Sequence, residues 1–478
     1  MSTTGPDAAL YRHDAVKDQP HMRDSQAPAI ATNRFGLGAR PGEMAACAAD
    51  PRGWLEAQLQ GTPPVIEDPG LRSTATMVVA LDALRSRNSK AVAEAVVKLG
   101  EIYRPAYVAE VGARLRLAAA TERPFLERIT QFWSNHFAIS VDKAVVLGVA
   151  GSYEREAIRP NVLGSFAQLL LAVERHPAML LYLDNFRSVG PDSALAGQAQ
   201  RRTGKTLGIN ENLAREIMEL HTLGVDGGYT QADVTAFAKV ITGWSIGARG
   251  FGPRGGGEPG EFFFRASIHE PGVETVMGRR YAQEGRDQGE SVLLDLARHP
   301  ATARHIATQL SRHFIADDPP PEAISRLAGV FERSGGDLPA VYRALIAEES
   351  AWSRPLSKFK TPNDYVISAW RALDLPLADA RSVPPVFANL GQRVWSPNSP
   401  AGWPDRSADW DGASALMQRL RWADQIGQRV GAGVNAQELA PQLLGATLGA
   451  DTRQALGRAA SAAQAVTLLL ASPEFMRR

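Results

Sequence analysis

NENLAREIMELHTLGVDGGYTQADVTAFAKVITGW, residues 210–244, is the stretch from which the fold is read. Asn210 is a good N-cap, the run to Leu223 carries apolar residues at helical spacing, and Gly224 suits the left-handed position that ends a helix. Thr230 with Asp233 three residues later begins a second helix in the manner of a capping box. The unit is therefore helix, tight turn, helix. At about 100° per residue, Leu213, Ala214, Ile217, Leu220 and His221 share one side, while Asn212, Arg215, Glu216, Glu219 and Thr222 share the other. Two readings of that polar face stand open. Glu216 and Glu219 form a carboxylate pair lining a cleft, as acid, base or oxygen ligands, or the face is solvated and laced by local ion pairs. Glu216 and His221 are five residues apart and diverge by about 140°, so they cannot chelate a metal as an HExxH helix does.

Working outward, ERITQFWSNHF (127–137) places His136 on the apolar stripe of its helix with Ile129, Phe132, Trp133 and Phe137. An imidazole among apolar neighbours needs a hydrogen-bond partner. His221 sits similarly on its own helix, and the expectation is one polar pocket shared by His136 and His221. In YEREAIRP (153–160), Arg155 and Arg159 stack at i,i+4, as an anion clamp or as structural ion pairs. Asp184 and Asn185 either present an oxygen ligand or end a helix. Gly204-Lys205-Thr206 resembles the end of a phosphate-binding loop, but Ala199 stands where its first glycine belongs and no strand precedes it.

Ala-, Leu-, Glu- and Arg-rich runs predict further helices over Ser89–Leu99, Leu163–Glu174, Ala301–Phe314, Pro339–Glu348 and Tyr365–Leu373. Residues 192–208 and 247–261 read as flexible loops, the second with seven glycines and two prolines. Phe262–His269 and Glu274–Tyr281 read as the strands of one small inserted β-hairpin. Val394–Trp410 holds three tryptophans and three prolines, and reads as padding over the core or as a lid before it reads as a ligand platform. The predicted class is mainly α: a disordered polar leader over residues 1–30, then one large irregular helical domain over 31–478.

Hydrophobic residues make up 44% of the 478 and charged ones 22%, ordinary values for a folded chain. Net charge is +1, which argues against a nucleic-acid scaffold or a polybasic membrane binder. Cys47 stands alone, so neither an intramolecular disulfide nor a thiolate zinc site can form. The first thirty residues lack the apolar core of a signal peptide and no stretch is long enough to span a membrane, which makes the cytoplasm the expected compartment.

Asn33–Gly38 (NRFGLG), FWSNHF (132–137), YEREAIRP, Tyr182–Asn185 (YLDN), residues 210–226, Thr242-Gly243-Trp244 and Gly402-Trp403-Pro404 together resemble a bacterial family, domain of unknown function 1800. The resemblance runs from about residue 30 to the C-terminus. It implies a mostly helical bacterial protein, often encoded beside a sulfatase-like family, and it brings no established reaction. Two functional expectations result. The first is an enzyme, a metal-assisted hydrolase or relative, with Glu216, Glu219, His136 and His221 as catalytic groups or ligands to a divalent transition metal. Arg155, Arg159, Asn212 and Arg215 would hold its substrate. The second is a non-catalytic binding or maturation partner of the co-encoded sulfatase-like protein, its polar residues fixing helix packing.

Overall fold

The computed structural model describes residues 20–85, 92–248, 256–353, 356–376 and 379–478. The leader up to residue 19, and the parts of two expected segments at 89–91 and 249–255, lie outside the described residues. Pro20–Ala29, placed in the leader by sequence, is helical. The class is mainly α with two small two-stranded antiparallel sheets. No helix among the described residues is long and apolar enough to cross a membrane.

Many helix starts stem from local capping chemistry. Thr361 accepts from the Asp364 amide, with Pro362 in the first turn of Pro362–Leu373. Ser165 with Gln168, and Thr230 with Asp233, close full capping boxes. His176 and His299 cap their helices through ring nitrogens that accept from Ala178 and Ala301. One continuous apolar cluster then joins these elements, from Ala29 near the start to Met476 near the end. Within it Trp133 is fully buried, its indole donating to the Tyr342 hydroxyl (2.6 Å), which donates to the Val162 carbonyl (3.0 Å).

Four local expectations are corrected. Phe262–Phe264 pairs with Trp244–Ile246, and Glu274–Val276 with Arg279–Tyr281, so residues 262–281 contribute to two ladders and not to one hairpin. The buried Trp244 recruits the first strand: its ring packs edge-on against Phe262, 5.3 Å between centroids. Residues 194–203, expected in a loop, are a helix, capped by the Ser193 hydroxyl and closed by Gly204 at φ +67°. The helix expected to follow an N-cap at Asn210 is regular only from Asn212, one residue later, although the Asn210 side chain does accept from the Asn212 amide (3.0 Å) as a capping residue would. Finally, its last turn, Ile217–His221, is a π-helix. The extra residue in that turn rotates the chain beyond it, so Thr222 leaves the polar face; it is buried, donating to the Ile217 carbonyl at 2.6 Å.

Two more π-helical turns occur at Ile30–Phe35 and Glu154–Ile158. The first delivers the chain into Gly36-Leu37-Gly38, where buried arginines from other helices take the freed carbonyls. Arg128 donates to Gly36 (2.5 Å) and Arg371 to Gly38 (2.8 Å). Gly38 sits at φ +97°, and a β-carbon there would stand 2.5 Å from that of Ser368. Gly38→Ala should therefore cost about 2–4 kcal/mol, backbone strain plus overpacking, read as a fall in urea midpoint. Gly42, at φ +82° with open space around it, is the control: Gly42→Ala should lose only the strain share, about 1 kcal/mol.

Candidate functional site

A cleft of about 350 Å³ opens where four main segments meet, with Arg114, Ala138, Ile139 and Leu220 completing its lining. The helix Pro124–His136 supplies Arg128, Gln131, Phe132, Asn135 and His136, a stripe at i, i+3, i+4, i+7, i+8. The helix Pro300–Phe314 supplies His305, Gln309, Arg312 and His313, again one face. Thr361, Asn363 and Asp364 come from the start of Pro362–Leu373, and residues 392–409 close the mouth. The tryptophan-rich loop is thus a wall of the cleft. Asn135 clips it in place by two reciprocal bonds, accepting from the Trp403 amide (2.8 Å) and donating to its carbonyl (2.9 Å). Gly402, at φ +80°, is needed at that contact because a β-carbon would stand 2.3 Å from the Asn135 carbonyl oxygen. Trp395 is held at φ +51°, a strained conformation for a bulky residue, with its indole on Glu154 (3.2 Å) and its carbonyl on the Val141 amide (2.8 Å).

At the junction of helix and loop, His313 Nδ1 meets Asp405 Oδ2 at 2.7 Å. A buried ionic cluster backs the pair. Lys358 donates to the Asp405 carbonyl (2.6 Å) and to Asp317 (2.9 Å), and lies 3.6 Å from the Asp405 carboxylate. Arg478 reaches Asp405 (3.4 Å), Asp364 (2.9 Å) and the His313 carbonyl (2.8 Å), and Arg128 pairs with Asp364 at 2.9 Å. Three cations face Asp317, Asp364 and Asp405, so a proton on His313 would leave excess positive charge. Burial first, then Arg478 and Arg128, push the imidazole down to about 4, while Asp405 is held well below the usual carboxylate range once its cations offset its own burial. His313 is therefore neutral. Its Nδ1–H donates to Asp405, and its Nε2, shielded from solvent, has no partner among the described residues.

His136 and His305 line the cleft but spend their Nε2–H groups elsewhere. They donate to the carbonyls of His221 (3.2 Å) and Leu220 (2.9 Å), capping the end of the π-helical turn. Burial, and the mutual proximity of the imidazoles, depress both below the ordinary histidine value. The expected meeting of His136 with His221 does occur, with ring centroids 6.4 Å apart. Yet His221 is wholly buried behind the cleft, its Nδ1 on the equally buried Glu174 (2.7 Å).

The remaining expected residues lie apart from the cleft. Glu216 and Glu219 do not line it; Glu216 is half-buried near Tyr182, its carboxyl raised mainly by burial, and Glu219 lies beside Tyr229. Arg215 pairs with Glu211 (3.2 Å) and Asn212 is exposed. Arg155 is bound by Glu110 (2.7 Å), and Arg159 by Glu127 (2.5 Å) and Glu154 (3.3 Å), as internal ion pairs. Asp184 ends its helix at φ +57° and pairs with Lys143 (2.6 Å). Among the described residues no group of three or more His, Cys, Asp or Glu gathers as a metal site would require.

Sequence reasoning missed His305, Gln309, Arg312, His313 and Asp405. The signal was present: polar residues at 305, 309, 312 and 313 fall at i, i+4, i+7, i+8, a polar stripe on a helix whose opposite face is core. Because His313 stays neutral in the fold while an unfolded chain takes up a proton below pH 6.5, its contribution is complete above that pH. It is lost as pH falls toward 4, by a total on the order of 3 kcal/mol. Chemical denaturation between pH 7 and 4 should show this slope, flattened in His313→Gln.

No curated protein and no solved structure matches the chain. The family model described as "Protein of unknown function (DUF1800)" matches residues 30–477, nearly its whole length. The chain belongs to that family.

Proposed function

We propose that the cleft is an active centre in which His313, oriented by Asp405, transfers protons to and from a bound substrate, hydrolysis being the reaction this arrangement serves most directly. One observation carries the reading: the 2.7 Å Nδ1–carboxylate bond fixes the tautomer and leaves the Nε2 lone pair without a partner among the described residues. A buried, unsatisfied nitrogen costs about 1–3 kcal/mol, and a cleft ligand or water that reaches it recovers that energy. Carboxylate-oriented imidazoles act in this way as general bases, with Asp405 stabilising the imidazolium that forms. His136 and His305 belong to the wall in this reading. The transition-metal variant of the hydrolase draws no support from the side-chain geometry, whereas the imidazole–carboxylate pair supplies the base without one.

The test is a panel of chromogenic carboxylic, phosphate and sulfate esters and glycosides. An activity belonging to this centre should fall about 10²–10⁴-fold in His313→Asn, and should fall too in Asp405→Asn, which mis-sets the tautomer. Its acid limb should lie near pH 4, where His313 takes up a proton, with a plateau above pH 6. Turnover unchanged in His313→Asn would overturn the assignment.

A further inference from the structure

The cleft wall that carries His313 also carries a guanidinium without a counter-ion among the described residues. From it we infer that the cleft contains an oxyanion subsite built on Arg312 and Trp403, which takes the carboxylate, phosphate or sulfate group of the bound molecule. The inference rests on the cleft being the active centre and names the charge of what binds there.

Each of the other cleft arginines is committed. Arg114 holds Glu154 (3.0 Å), Arg128 holds Asp364 (2.9 Å), Arg393 holds Asp142 (2.8 Å) and Arg406 holds Asp318 (3.1 Å). Among the described residues the Arg312 Nε, buried, meets no acceptor. The Trp403 indole N–H is likewise buried and has no partner among the described residues. Both donor groups stand on the two segments that the His313–Asp405 bond ties together: Arg312 directly precedes His313, and Trp403 lies two residues before Asp405. The backbone beneath is fixed, since Lys358 donates to the Arg312 carbonyl (2.7 Å) and Asn135 grips the Trp403 backbone. A guanidinium presents a planar fork that matches two oxygens of an oxyanion, and an indole N–H can only donate. Of the three acidic residues lining the cleft, Asp364 and Asp405 are taken by Arg128, Arg478, Lys358 and His313, and Asp409, exposed in the loop 392–409, makes no ion pair with Arg312 among the described residues. What fits these free donors is an external anion.

The experiment is calorimetric titration of the full chain at low ionic strength with sodium phosphate, sodium sulfate and sodium acetate, each separately. At least one should saturate a single site. Arg312→Gln should weaken it at least tenfold, Arg312→Lys less, and Trp403→Phe, which keeps an aromatic ring but removes the donor, severalfold. Preference for phosphate or sulfate marks a tetrahedral group, and preference for acetate a carboxylate. His313→Asn should keep the binding, so failure of the proton-transfer reading and failure of the subsite are separable. The subsite is refuted if none of the three anions binds the native chain, or if Arg312→Gln binds as tightly, with an unchanged melting temperature showing that the variant is folded.

Discussion

Charge balance inside the protein is the constraint on which the rest depends. Arg128, Arg478 and Lys358 are almost completely buried, and each such ion taken out of water costs several kcal/mol before its partners are counted. Asp364, Asp405 and Asp317 offset them, and the partners come from separate parts of the chain: residue 128 in one helix, 317 after another, 358–364 at the start of a third, 405 in a loop and 478 at the far end. None of these segments can leave without stranding a charge. Asp364 is held at about 2 by Arg128 and Arg478 against its own burial, and Lys360, donating to Ser368 at 3.1 Å over the Phe475 ring, is pushed down to about 7 by burial. The cluster therefore fixes the relative position of the helix carrying His313 and the loop carrying Asp405. That alignment is what a reactive imidazole requires.

Single buried side-chain atoms without a hydrogen-bond partner among the described residues are scattered through the interior, Arg159 Nε, Asn185 Oδ1, Trp244 Nε1 and Trp370 Nε1 among them, and three gather on the His313 wall. Arg159 is held by Glu127 and Glu154, and Arg371 by Glu43 and a set of carbonyls. In contrast Arg312 Nε, Trp403 Nε1 and His313 Nε2 belong to one lining and lack acceptors or donors among the described residues. Native structures leave few such atoms, and those left commonly face a ligand or an ordered water. A further pair of orphans, His221 Nε2 and Glu174 Oε2, lies wholly buried outside the cleft lining, and the 2.7 Å bond between their other atoms is the compensation.

The helical class, the capping box at Thr230 and the proximity of His136 to His221 were legible in the sequence, because each depends on a few neighbouring residues or on one strong periodicity. The π-helical turns were not, since a fixed 100° rotation cannot register an inserted residue; Thr222 went to the wrong face for that reason. The partner choice of Arg155 and Arg159 was equally hidden. Their acceptors, Glu110 and Glu127, lie 45 and 32 residues away, and only folding brings them close.

The candidate site was the least legible part, and the reason is physical. Chemical availability is what remains after hydrogen bonding is settled, and that accounting is three-dimensional. His136 looked reactive because its own helix offered it no partner, but its Nε2–H goes to the carbonyl of His221, 85 residues on. His313 looked ordinary, one polar residue in a basic last turn, until Asp405 arrived from 92 residues away and took only one of its two nitrogens. Histidines with similar local sequences therefore diverge. Those that meet carbonyls at a helix end become caps, and the one that meets a carboxylate at a cleft keeps a lone pair without a partner among the described residues.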